Sequence, residues 1–395
     1  MTPVSVQSPG NKAHIVPLIV LSQFAGTSLW FAGNAVLNDL QQALHLENMV
    51  VSHVTSAVQF GFITGTLVFA LLTISDRFSP SKVFFACALA GAATNVGVLF
   101  LVKSLPSLLF FRALTGFFLA GIYPVGMKIA ADYHEKGLGK SLGYLVGALV
   151  LGTAFPHLLK TFTSGLSWQY VFVLTSIFAA VGGILVLLFI ADGPHRSIST
   201  RFDPTALFRV FQNGAFRSAA FGYFGHMWEL YTFWALLPIL LHYYNGIHPE
   251  SPIMISFWSF LIIASGAPAC VIGGYISQKI GSGKVAFVAL LSSGVCCLLS
   301  PLLFTLPSPV FLGFLLFWGM TVVADSPQFS TLVAQRAPKA FAGTALTIST
   351  SIGFAITIVS MQTLQWLSAW VTPQWIYLFL LAGPVFGLLA LYKYK

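Results

Sequence analysis

The chain has 395 residues, 57% of them apolar and only 7% charged, with a mean hydropathy of +0.86. A soluble domain carries about 25% charged residues, so this composition excludes a water-soluble enzyme or binding domain and describes an integral membrane protein. The formal charge of +9 is scattered over short links rather than gathered into a patch, which excludes nucleic acid as a partner.

The first residues, 1–14, are polar and carry no cleavage signature, so no removed leader is expected. Twelve apolar segments follow, each near the roughly 20 residues that a bilayer requires: 15–38, 49–74, 82–102, 107–131, 139–160, 167–191, 215–243, 252–277, 284–305, 308–332, 341–366 and 372–392. Leu105-Pro106, Leu306-Pro307 and Thr372-Pro373 mark links between them. Pro124, Pro156, Pro238 and Pro327 lie inside segments, where neighbouring helices can satisfy the freed carbonyls. No stretch alternates as a barrel strand does, so the expected fold is an all-α membrane protein of twelve transmembrane helices. Cys87, Cys270, Cys296 and Cys297 fall in apolar stretches without metal-ligand spacing and read as small core residues.

Lys and Arg fix the expected orientation. With the N-terminus inside, Lys12, Arg77, Lys82, Lys136, Lys140, Arg196, Arg201, Arg209, Arg217, Lys279, Lys284, Arg336, Lys339, Lys393 and Lys395 are cytoplasmic, 15 of the 19 basic residues. Lys103 and Lys160 fall outside. Both termini are therefore expected in the cytoplasm, and the compact loops suit a bacterial inner membrane. The polar stretch 192–214 divides the chain into a bundle at 1–191 and a second at 215–395.

The halves look related. The link after segment two runs from Leu72 through Asp76 and Arg77 to Lys82; the link after segment eight runs from Gly274 through Gln278 and Lys279 to Lys284, with the same spacing. Pro124 and Pro327 also occupy matching places. Duplication of a six-span unit is a usual construction of secondary transporters. On these residues the chain resembles the major facilitator superfamily, whose signature after span two is Gly-x-x-x-Asp-Arg-x-Gly-x-[Arg/Lys]-[Arg/Lys]. Asp76, Arg77 and Lys82 match it, while Leu72 and Ser79 replace its glycines. The second copy keeps Gly274, Gly281 and Lys284 but puts Gln278 in place of the acid. Arg112 with Gly116 in span four, and the glycines of span five, extend the likeness. The resemblance implies two pseudo-symmetric six-helix bundles, a monomer, rocker-switch alternating access, and a gating role for Asp76, Arg77, Lys82, Gly274 and Lys284. Its alternative for those charges is ordinary retention for topology.

Apart from Lys and Arg at the very ends of the segments, four charged residues lie within the spans: Arg112, Lys128, Glu229 and Asp325. A charge in a bilayer is costly unless it faces a cavity or a partner, and the resemblance places their spans around the central path. Glu229 lies in the aromatic run of span seven, three residues after His226 and on the same helix face. It reads as a proton carrier, with His226 as modulator or substrate ligand, or as a structural acid bonded to a neighbouring helix. Asp325, beside Ser326, Pro327 and Gln328, is a second protonation or cation-site candidate, or a helix-break residue. Arg112 is a candidate for an anionic substrate or for a carboxylate partner. Lys128 and Asp132, one turn apart at the cytoplasmic end, are expected to pair as i,i+4 neighbours or to snorkel, ahead of a direct substrate role. Gln23, Trp30, Asn34 and Tyr231 complete the substrate-cavity candidates. No metal site and no cofactor is expected.

A membrane enzyme would need a catalytic constellation or a nucleotide loop, and neither is present. A receptor would need a soluble signalling domain. The reading is a secondary transporter of a small molecule coupled to protons or another ion, with symport of a small organic anion placed ahead of proton-coupled efflux of an amphipathic or aromatic compound.

Overall fold

The structure, a computed structural model, describes residues 14–45, 51–133, 138–163, 166–194, 196, 206–338 and 342–393, and no strand occurs among them. Of the basic residues expected on the linker side, Lys12, Lys136, Arg201, Lys339 and Lys395 lie outside the described residues. Ten helices are long and apolar enough to cross a membrane. Span one, in pieces at Ile15–Thr27, Ala32–Ala35 and Leu37–Ala43, and span seven, the 34-residue helix Gly214–Ile247, bring the total to twelve.

The first bundle continues with spans two (Val51–Leu71), three (Pro80–Leu101), four (Leu105–Leu119 and Tyr123–Tyr133), five (Leu138–Phe162) and six (Gln169–Phe189). The second holds spans eight (Ile255–Ala264 and Gly266–Ile280), nine (Ser282–Leu299), ten (Ser308–Ala324 and Ser326–Arg336), eleven (Ala342–Leu367) and twelve, which ends in Ala382–Lys393. Packing repeats between the halves. Span one lies on five and six as seven lies on eleven and twelve; two lies on four as eight lies on ten. Between bundles, two meets eleven and five meets eight.

Spans four and ten break at matching levels, before Pro124 and Pro327. Proline lacks the N–H that would continue the ladder, so the duplicated prolines explain the duplicated breaks. Span one differs from the single helix expected over 15–38. Its ladder opens at 28–31, where the Ser28 hydroxyl donates to the Ala25 carbonyl and the Arg112 guanidinium takes the carbonyls of Leu29 and Trp30.

Small residues set the tightest crossing. A Cβ on Gly61 would stand 1.8 Å from the Ala113 carbonyl oxygen, and one on Gly116 2.0 Å from that of Val58. Without a hydrophobic drive between helices in lipid, such close backbone approach is what holds spans two and four together. The two signature links turn differently. Gly281 has φ +88°, which glycine adopts freely; its counterpart Ser79 has φ −57°, and the first link turns instead at Thr73, with φ +49°.

Candidate functional site

A cavity of about 440 Å³ runs between the bundles from the face that carries the inter-bundle linker. Its mouth is polar: Thr73, Ser75 and the Asp76–Lys128 pair on the first bundle, Ser330 and Thr344 on the second. Its deep end is aromatic and apolar, with Tyr123, Met227, Tyr231 and Phe354. Beyond it an aromatic plug closes the path. Trp30 stacks on Tyr231 and on Phe354 with ring centroids 5.7 and 5.6 Å apart, and Phe62 packs on Phe354 at 4.5 Å. Past the plug the bundles are tied by hydrogen bonds. Ser52 donates to the Met361 carbonyl at 3.3 Å, and Gln362 to the Ser56 hydroxyl at 3.0 Å. The molecule is thus open on the linker face and closed on the other.

Among the sequence-derived cavity candidates, Tyr231 lines this wall and Trp30 caps it from behind. The other five lie elsewhere. Arg112 is fully buried in the first bundle; its guanidinium donates to the Leu29 and Trp30 carbonyls at 2.9 and 2.7 Å and to Asn95 Oδ1 at 2.8 Å. Every one of these partners is neutral, and together they hold the opened turn of span one. Asn34 donates to Thr55 at 2.7 Å. Gln23 is buried against Gly126, where a Cβ would stand 2.1 Å from its Oε1.

His226 and Glu229 do not act on one face as expected. Three residues turn a helix by about 300°, leaving roughly 60° between the side chains, and that offset gives them different partners. Glu229 points to spans nine and ten, where Trp318 donates to it at 2.7 Å, Ser293 at 2.9 Å and Cys297 at 3.2 Å. Glu229 is thus held by donors on two neighbouring helices. His226 points to span ten, with Nδ1 2.8 Å from Asp325 Oδ1. Asp325 sits at the break of span ten, and the adjoining Ser326 and Met227 line the cavity. The His226–Asp325 pair therefore lies directly behind the wall, on two of the helices that form it. Gln328, one turn on, is buried with no hydrogen-bond partner for its amide among the described residues.

At the mouth the expected Lys128–Asp132 pair is replaced. Lys128 bonds Asp76 across from span four to the first signature link, because the link folds back over the end of span four. Arg196 donates to the Asp76 and Phe78 carbonyls and pairs with Asp192, which accepts from Ser79. The signature network thus joins the first bundle to the start of the linker in this open state. Arg77, Lys82 and Lys284 are exposed, and Gly274 is buried in span eight.

Some of these residues carry a signal in the sequence. Thr344, Thr347 and Thr350 recur every three residues in span eleven and all line the cavity. Asn95, which accepts from Arg112 and donates to Thr175 and Ser176, was an isolated amide in an apolar helix. Trp318 gave no signal among so many aromatics.

The chain matches the Major Facilitator Superfamily over residues 18–361. The chain belongs to this family. Two solved structures share the fold at low identity. The human organic anion transporter MFSD10 (TETRAN) is 17% identical, with a TM-score of 0.73 over 98% of this chain and 100% of that one. The proton:xylose symporter XylE, solved with 6-bromo-6-deoxy-D-glucose, is 14% identical, with a TM-score of 0.73 over 97% of this chain and 96% of that one. No curated protein matches the chain by sequence. The superfamily member described here is a multi-pass secondary transporter of small molecules.

The geometry separates fold from transport at Arg112. Hydrogen bonds to a charged group contribute about 1.5–3 kcal/mol each, so Arg112→Ala is expected to cost at least about 3 kcal/mol. Lys, a single point charge, restores little of this because it cannot fork to three acceptors. Thermal unfolding in detergent checks the loss, and solute affinity of the folded fraction is expected to stay close to wild type.

Proposed function

We propose that this transporter exchanges an amphipathic or aromatic compound for protons, exporting it from the cytoplasm. The observation that carries this reading is the cavity wall. Its deep end is aromatic, its hydroxyls are neutral, and its two charged side chains, Asp76 and Lys128, are bound to each other. A small anion would need a free cation, and Arg112 is committed to the carbonyls of span one. The linker face is read as cytoplasmic from the Lys and Arg bias, so the cavity opens inward. Symport of a small organic anion, the reading placed first from sequence, keeps one observation in its favour, the presence of Lys128 on the wall.

The proton seat in this reading is the His226–Asp325 pair. A proton there decides whether a carboxylate or a neutral acid sits at the break of span ten. Coupling requires that protonation change the relative stability of the two states through contacts that differ between them. The pair adjoins the wall residues Met227 and Ser326, where solute and proton can bias the same break of span ten, whereas Glu229 is held by three donors on spans nine and ten. Asp76, Arg77 and Lys82 then act as a latch that re-forms toward the second bundle when the mouth closes, against Gly274 and Lys284 of the second link.

A panel of aromatic cations, aromatic carboxylates and simple carboxylates tests the solute class by binding to the purified protein. Aromatic amphiphiles are expected to bind, and Thr347→Trp, which fills the wall, to abolish binding without lowering the melting temperature. Tight binding of simple carboxylates that is lost in Lys128→Gln would favour the anion reading instead.

A further inference from the structure

The two seams between the bundles are built differently. At the seam of spans five and eight, backbone meets backbone. A Cβ on Gly143 would stand 2.9 Å from the Cys270 carbonyl oxygen, and one on Gly147 3.1 Å from that of Ala267. Toward the linker face the seal continues: the Tyr144 and Tyr275 hydroxyls are 2.8 Å apart, and the Lys140 ammonium lies 4.8 Å from the Tyr275 ring centroid. Span five gives the cavity wall only Leu142 and Leu149, and span eight gives it nothing.

The seam of spans two and eleven is closed only in the half away from the linker, by Ser52 on Met361, Ser56 on Gln362 and Phe62 on Phe354. Nearer the linker face the same two helices part into opposite walls of the cavity. Thr66, Phe69 and Ala70 stand on one side, Leu346, Thr347 and Thr350 on the other. Gly343, at the start of span eleven, and Leu71 and Leu72, at the end of span two, are exposed. Outside these two helices at this depth lies the hydrocarbon of one leaflet.

We infer that the cavity opens sideways into the linker-side leaflet between spans two and eleven, and that its solute is a membrane-dissolved amphiphile taken from that leaflet. The gap and the cavity together match such a molecule. Phe69 and Leu346 receive its apolar part, while the Asp76–Lys128 pair, Ser326 and Ser330 meet its polar end at the mouth. The Thr66 hydroxyl is buried with no hydrogen-bond partner among the described residues, and Thr347 lines the facing wall; polar groups at membrane depth need a partner or a cavity. The inference rests on the reading that this cavity carries the solute, and the experiment keeps the two apart.

The full chain is reconstituted with phosphatidylcholine carrying a diazirine on its acyl chain, irradiated, and its adducts mapped by mass spectrometry. Adducts are expected on Thr66, Phe69, Leu346 and Thr347 several-fold above those on Leu142 and Leu149. Adducts confined to outward-facing side chains such as Phe60 and Val359, or equal on Leu142 and Leu149, overturn the sideways opening. In parallel, Ser330→Cys is treated with a water-soluble maleimide from the linker face. If it reacts while the lipid adducts stay outside, the cavity reading stands and the lateral route falls. If it does not react, the cavity reading falls and takes the lateral route with it.

Discussion

Asp325→Asn is expected to abolish gradient-driven transport while leaving solute exchange intact. The carboxyl lies 2.8 Å from His226, at the break in span ten, one residue from the cavity wall. An amide keeps the volume and one acceptor there but cannot carry the proton. If the pair links proton and solute, its removal costs a coupling free energy of about 1–3 kcal/mol, the equivalent of roughly 5–150-fold in accumulation. Counterflow, in which labelled solute exchanges for unlabelled with no proton gradient, needs only the rocking of the loaded protein and is expected to persist. His226→Gln is expected to fall in the same class. Glu229→Gln keeps an acceptor for Trp318 and is expected to retain coupled transport. The opposite pattern, with coupling lost in Glu229→Gln and kept in Asp325→Asn, would return the proton to the residue that the sequence favoured.

Gly61→Ala and Gly116→Ala are expected to be the most damaging methyl additions in the chain. Each would place a carbon 1.8 or 2.0 Å from a backbone carbonyl oxygen of the facing span, and backbone cannot swing aside as a side chain can. Overpacking of a tight interface costs about 1–3 kcal/mol and occasionally more; two helices forced apart along a shared crossing belong at the upper end. Gly313→Ala supplies the comparison. Nothing stands within 4 Å of its added methyl, and alanine is favoured over glycine in a helix by about 1 kcal/mol, so that variant is expected to melt at or slightly above wild type. Unfolding of the three variants in one detergent, followed by fluorescence, measures the contrast. Equal melting temperatures would mean that spans two and four are not joined by backbone contact.

Much of the fold was legible because a bilayer allows few answers. Segment length, link prolines and the Lys and Arg bias located twelve spans within a few residues, and the paired breaks of spans four and ten were written in Pro124 and Pro327. The opened turn in span one was not legible, since it depends on Arg112 arriving from a helix some eighty residues away. The charges that cross the membrane were found, but their directions were not. Sequence offset alone put His226 and Glu229 on one face, and only the positions of spans nine and ten decide that one reaches Asp325 and the other Trp318. The threonine spacing of span eleven was readable, but the tyrosines and methionines of the wall are residues common in any membrane helix, so the wall emerges only when helices from both bundles are brought together.

The most direct test of the account is proton movement in sealed proteoliposomes holding a pH-sensitive dye, with aromatic amphiphiles and simple carboxylates added outside in turn. Exchange for protons predicts that an aromatic amphiphile makes the lumen more alkaline as it enters, and that Asp325→Asn removes the signal. Acidification of the lumen by a simple carboxylate, unchanged in Asp325→Asn, would contradict both the solute class and the proton seat.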